Sequence, residues 1–214
     1  MRMALHNSKK YKMNHNETGS IKFNCNWIAA EPVDEKSIIE INRWRNILFI
    51  HKLIGVYPNG IGYGNISIRL NNKEFLISGT STGHLEKLSN QHYSIVTSYD
   101  FAANSVTCKG PVKASAESLT HAAVYEMDPG VQAIIHIHNK KMWDELLDKV
   151  PTTSSSVEYG TPEMALEIKR LFNSTNLIEQ KILVMAGHEE GVISFGKDLE
   201  EAGEIIFKHL YPAG

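Results

Sequence analysis

The sequence predicts a single mixed α/β domain. Segments of strand-like and helix-like periodicity alternate along the chain, short turn-rich stretches join them, and no internal repeat or long linker divides them. At 214 residues the chain is long enough to bury most of its apolar surface without disulfide or metal staples.

The elements follow in order. Residues 1–20 are polar and rich in Asn and Lys, and read as a mobile tail. Residues 1–30 are expected to form an N-terminal extension, with a short strand of uncertain role within 21–30, and the domain to span 31–214. Asp34 caps a helix whose apolar stripe runs through Ile38, Ile41, Leu48 and Leu53, with Gly55 as its stop. Pro58, Gly60, Gly62 and Gly64 make a loop. Ile66–Leu70 alternates like a half-buried strand, turns at Asn71-Asn72 and returns over Glu74–Ile77. Thr80–Ser89 reads as a loop with a short helical turn, and Ser94–Ser98 and Ser105–Cys108 as a second strand pair. Ser115 caps a helix over Ala116–Met127, stopped by Pro129-Gly130. Val131–His138 is a continuous apolar run, the mark of an interior strand, and Lys140–Lys149 a short amphipathic helix. Thr161, with Pro162 at the first helical position, opens a helix to about Phe172. Strands Ile182–Ala186 and Val192–Phe195 flank Gly187-His188-Glu189-Glu190-Gly191, and Asp198 caps the last helix.

Composition excludes several functions. The formal net charge is −2 and no block of like charge stands out, so neither nucleic acid nor a membrane surface is an expected partner. The cluster Lys9, Lys10, Lys12 is too short to change that. No apolar run reaches membrane-spanning length, and the N-terminus shows no signal-peptide core. Cys25 and Cys108 are too few for a disulfide framework and neither lies in a C-x-x-C pair, so a reducing, cytoplasmic setting is expected.

The chemistry lies in the histidines. His136 and His138 are two apart in a strand, so both imidazoles point to one face. Neutral imidazoles at a buried strand end need partners, and zinc takes imidazole nitrogen. Taken alone, the pair is also compatible with one core and one surface histidine. His188, in a glycine-flanked turn between strands, can supply a third nitrogen; with Val192 where a second histidine would be needed, it does not start a helical H-E-x-x-H motif. Glu117, in the first turn of its helix, either faces water near the positive end of the dipole or meets the histidines. Asn65, Thr80, Ser81 and Ser115 lie in Gly-rich turns or at a helix start, where hydroxyls and backbone N–H groups can cradle an oxyanion, although each also has a turn or cap role.

Taken in order, Gly64-Asn65-Ile66-Ser67, Ser78-Gly79-Thr80, Ser115-Ala116-Glu117, His136-Ile137-His138, and Gly187-His188 with Gly191 and the 196–202 run resemble class II aldolase/adducin domains over about residues 36–210. The resemblance implies a three-layer α/β/α sandwich around a mostly antiparallel central sheet, assembled as a homotetramer with sites between subunits. It implies that His136, His138 and His188 bind Zn²⁺ or another divalent metal. It makes Glu117 the catalytic acid/base, and places the phosphate of a small phosphorylated sugar near Asn65, Thr80, Ser81 and Ser115. The implied activity is that of an aldolase-type lyase working through a zinc-stabilised enediolate. An epimerase, a dehydratase or a non-catalytic adducin-like interaction domain would use the same scaffold.

The chain also departs from the family pattern. The usual Pro-Ser-Ser-Glu reads Ala114-Ser115-Ala116-Glu117, so one phosphate-binding hydroxyl is missing. The segment from His138 to Gly160 is short and offers no match for the tyrosine that handles the aldehyde proton in the family's aldolases; Tyr159 falls instead beside the next helix start. The Ser78–Gly83 stretch is one residue longer than usual, so Thr82 and Gly83 compete for the phosphate role.

Overall fold

The computed structural model describes residues 20–212. The expected mobile tail, Ser20 apart, and the Lys9, Lys10, Lys12 cluster lie outside the described residues. The chain opens with β1 (Asn24–Ala29), a 3₁₀ turn (Glu35–Ile38) and α1 (Ile39–Ile50). A small two-stranded ribbon, β2 (Gly55–Val56) and β3 (Gly62–Tyr63), precedes β4 (Asn65–Arg69) and β5 (Phe75–Ser78). Next come β6 (Tyr93–Asp100), β7 (Ser105–Gly110), α2 (Ser118–Met127) and β8 (Ala133–His138). The chain closes with α3 (Lys140–Leu146), α4 (Pro162–Ser174), α5 (Leu177–Gln180), β9 (Ile182–Val184), β10 (Gly191–Gly196) and α6 (Leu199–Leu210).

Eight strands form one sheet in the order β1-β7-β6-β5-β4-β8-β10-β9. Every pairing in it is antiparallel except β1 with β7. One face packs on α2 and α4 through Ile134, Leu119, Ala123, Met164 and Ile168. The other packs on α1, α3 and α6 through Ile135, Ile137, Trp44, Met142 and Ile206. This is the expected three-layer α/β/α sandwich. Strand β8 lies between β4 and β10 with all six residues buried, which is why its sequence reads as an unbroken apolar run.

Several local expectations are corrected. The short strand of uncertain role expected within 21–30 forms as β1 and takes a definite role on the edge of the main sheet beside β7, with Phe23 buried in the core. α1 ends before Gly55: Lys52 adopts the left-handed conformation (φ 58°), and the Leu53 N–H donates to the Leu48 carbonyl. The 58–64 loop contains half of the β2–β3 ribbon, and α5 had no periodic signal because it is a single turn. α2 starts at Ser118, not Ala116, with Glu117 at the capping position and making no side-chain cap bond. The Asp198 and Thr161 caps are as expected; Asp198 accepts from the Glu201 N–H at 2.8 Å. No helix among the described residues is long and apolar enough to cross a membrane.

Candidate metal centre and active site

Strand geometry brings the first two histidines together. His136 and His138 point to the same face of β8, and their Nε2 atoms lie 3.2 Å apart. The third arrives from the turn between β9 and β10, where the His188 N–H donates to the Met185 carbonyl and the Gly191 N–H to the His188 carbonyl. This turn sets His188 Nε2 at 2.9 Å from His138 Nε2. Gly191 permits the approach: a Cβ there would sit 2.8 Å from His188 Cδ2 and 3.3 Å from His136 Cε1.

The donor set fits a divalent ion. His136 Nδ1 lies 3.2 Å from the Val192 carbonyl, which can only accept, so that nitrogen carries the proton and Nε2 presents a lone pair. Burial pushes the His136 imidazole down to about 4. Burial, together with the neighbouring histidines, holds His138 and His188 well below the ordinary range. Neutral imidazoles are the form that binds metal. Zinc–nitrogen bonds of about 2.0–2.1 Å in tetrahedral geometry place ligand nitrogens roughly 3.3 Å apart, close to the spacings found here. His136, His138 and His188 form a group that can hold such an ion, their ligating atoms lying within 4.8 Å of one another.

Glu117 faces these histidines, not water: it is 3% exposed, and its Oε1 is 3.7 Å from His188 Nε2. Its Oε2 accepts from the Thr120 hydroxyl at 2.6 Å, whereas Oε1 is buried with no hydrogen-bond partner. Burial pushes the carboxyl up to about 7, against the opposing effects of Thr120 and the Lys22 charge. Asn65 sits across from His136 in the β4–β8 register, and its Oδ1 is likewise buried and unpartnered. Two buried acceptors without donors on the wall shared with the three imidazoles fit a bound cation.

These groups line one small cleft, with about 70 Å³ of free space inside it. Thr80, Ser81 and Ser115 also line it, so every residue singled out from the sequence reaches this one place. Ser81 has φ 61°, and the Thr80 N–H donates to the Lys113 carbonyl. Thr82 and Gly83 share the cleft wall, but the Thr82 hydroxyl closes the turn by donating to the Gly79 carbonyl at 2.8 Å.

Sequence reasoning missed three contributors, Arg45, Lys22 and Tyr57, and set a fourth, Tyr159, beside a helix start and outside the site. Arg45, 1% exposed, donates to the carbonyls of Thr82, Gly83 and Glu86 and so holds the turn from the α1 side. Its position between Ile41 and Leu48 on the apolar stripe was a readable signal of a buried arginine. Tyr159 packs its ring 4.4 Å from that of His188, with Lys22 Nζ 4.1 Å above the tyrosine ring. Tyr57 meets His138 from the ribbon, a contact with no periodic trace in the sequence.

Comparison with known proteins places the chain in a family. The family model of the class II aldolase and adducin N-terminal domain matches residues 59–208. The chain belongs to the class II aldolase/adducin family. A curated relative, the 3-oxo-tetronate 4-phosphate decarboxylase of Haemophilus influenzae, is 26% identical over 159 residues, covering 67% of this chain and 71% of its own. Among solved structures, an L-fuculose 1-phosphate aldolase superposes with TM-score 0.63 at 17% identity over 84% of each chain. YgbL of Escherichia coli does so with TM-score 0.59 at 20% identity, over 81% of this chain and 84% of its own. At these identities the structural likeness establishes the class II aldolase fold.

Proposed function

We propose that this protein is a metal-dependent lyase that cleaves a carbon–carbon bond beside the ketone of a small phosphorylated keto compound, by aldol-type cleavage. The observation that carries it is the convergence of three buried Nε2 atoms beside a buried carboxyl group with one unpartnered oxygen. A divalent ion such as zinc, held by His136, His138 and His188, would supply a Lewis acid for the ketone and adjacent hydroxyl oxygens. Glu117 would move the proton at the substrate carbon through Oε1, while Thr120 fixes Oε2. Asn65, Thr80, Ser81 and Ser115 would bind the phosphate and orient the chain of the substrate. Burial of Glu117 and the histidines keeps bulk water from competing for these groups.

Decarboxylation of a phosphorylated 3-oxo acid is a second reading. The Haemophilus influenzae relative supports it. So does the provision of one buried carboxyl group: carbon dioxide departs without a proton, the electron pair stays on the substrate carbon, and Glu117 returns one proton there. Family likeness supports a homotetramer, and the low cysteine count supports a cytoplasmic setting.

The test is a cleavage screen over ketose phosphates and phosphorylated 3-oxo acids. Metal content and light-scattering mass are measured on the same sample. We expect about one divalent ion per chain, as a three-imidazole site takes. We also expect loss of that ion in His136→Ala, His138→Ala and His188→Ala, a mass of four 24.0 kDa chains, and cleavage in one panel. Full metal in all three variants, or no cleavage by metal-loaded protein in either panel, sinks the lyase reading in favour of an interaction domain.

A further inference from the structure

His138 differs from His136 in what holds its second nitrogen. For His136 that partner is the backbone carbonyl of Val192. For His138 it is a side chain: the Tyr57 hydroxyl lies 2.8 Å from Nδ1. The same hydroxyl is 2.5 Å from Glu190 Oε2, whereas the direct distance from His138 Nδ1 to that carboxylate oxygen is 4.0 Å. Tyrosine has one hydroxyl hydrogen, and a carboxylate can only accept. The hydrogen therefore goes to Glu190, and the tyrosine oxygen accepts from Nδ1–H. The histidine is left in the tautomer whose Nε2 lone pair points at the other two imidazoles.

The surroundings hold this relay in place. Glu190 is a non-glycine residue at φ 70°, a conformation that persists only where neighbouring contacts impose it. Its carbonyl accepts from the Asn139 N–H at 3.0 Å, directly after the ligand His138. Tyr57 is fixed from the ribbon side, its N–H donating to the Ile61 carbonyl at 2.8 Å. Its ring packs 4.5 Å from Tyr63, which in turn lies 5.5 Å from the His138 ring.

We propose that Tyr57 and Glu190 are positioning residues of the metal centre: their relay selects the metal-binding tautomer of His138 and thereby sets affinity for a divalent ion. The proposal rests on the metal-binding reading of His136, His138 and His188, and concerns the groups behind one ligand. Loss of such an outer partner weakens metal binding about 10–100-fold.

The experiment compares wild type, Tyr57→Phe and Glu190→Gln. Zinc affinity is measured by chelator competition, and histidine ring tautomers by ¹⁵N–¹H correlation spectra of the metal-free proteins. Wild-type His138 is expected as the Nδ1–H tautomer. Tyr57→Phe keeps the ring packing, and should show a mixed tautomer with zinc affinity about 10–100-fold weaker. Glu190→Gln should show a smaller loss in the same direction, since an amide can still accept from Tyr57; it serves as the test if Tyr57→Phe does not fold. Wild type that binds zinc with Tyr57→Phe unchanged in both tautomer and affinity overturns the relay and leaves the metal reading standing. Wild type that binds no divalent ion overturns the metal reading and the relay with it.

Discussion

Two electrostatic effects oppose each other at Glu117. The start of α2 favours its ionised form, by about 0.3–1 kcal/mol for a charge near a helix N-terminus. Burial favours the protonated form and prevails, pushing the carboxyl from 4.5 up to about 7, with each unit worth about 1.36 kcal/mol. That value belongs to the metal-free chain; a divalent ion beside His188 would draw the carboxyl back towards its ionised, proton-accepting form. Glu117→Gln keeps the shape and can still accept from Thr120, but cannot carry a proton. Metal content should therefore survive, while solvent exchange into dihydroxyacetone phosphate, followed by NMR in D₂O, should slow by about 10²–10⁴-fold. Exchange at the wild-type rate would remove Glu117 from the mechanism.

Among elements, β10 matters as much for what it lacks as for what it carries. Gly191 stands opposite His138 in the β8–β10 register, where two imidazole rings occupy the space of a side chain. A Cβ at this position would also meet the His188 carbonyl oxygen at 2.9 Å. Gly191→Ala must displace His188 or His136, and such overpacking typically costs about 1–3 kcal/mol. For a chain of this size each kcal/mol is roughly 2–4 °C in Tm. The expected result is a modest fall in the Tm of the metal-free protein, with a larger fall in bound metal by elemental analysis. Full metal retention would show that the ring spacing tolerates change.

At the scale of the whole molecule, the polar groups sealed between sheet and α2 make stability depend on pH. His121 is fully buried, its Nδ1 is 2.7 Å from the Ser67 hydroxyl, and its Nε2 has no hydrogen-bond partner. Burial, with His136 nearby, holds its imidazole well below the ordinary value. The unfolded chain takes up this proton at about 6.5 while the folded chain refuses it. The contribution is thus present above about pH 6.5 and is lost as pH falls towards the folded value. Urea titrations of metal-free protein should show stability declining below about pH 6.5, less steeply in His121→Gln. An identical slope in the two proteins would mean that His121 does not titrate as its burial requires.

Much of this molecule was legible in its sequence because the signals are local. Alternation marked β4, the Asn71-Asn72 turn marked its return as β5, the apolar run marked β8, and the Asp198 and Thr161 caps marked α6 and α4, since strand pleat, turns and helix capping act within a few residues. The same pleat made a same-face pair of His136 and His138 predictable. Ordered motifs brought in His188, Glu117 and the oxyanion candidates as a set, but not their distances. The structure alone decided that His188, 50 residues beyond His138, closes to 2.9 Å, and that Tyr57 and Glu190, 133 residues apart, meet behind His138. It also decided that Glu117 turns inward and that residues 24–29 join the sheet. The reason is physical. These contacts are set by the order in which β4, β8 and β10 lie in the sheet and by which side chains α2 presses against it, and neither leaves a periodic trace along the chain.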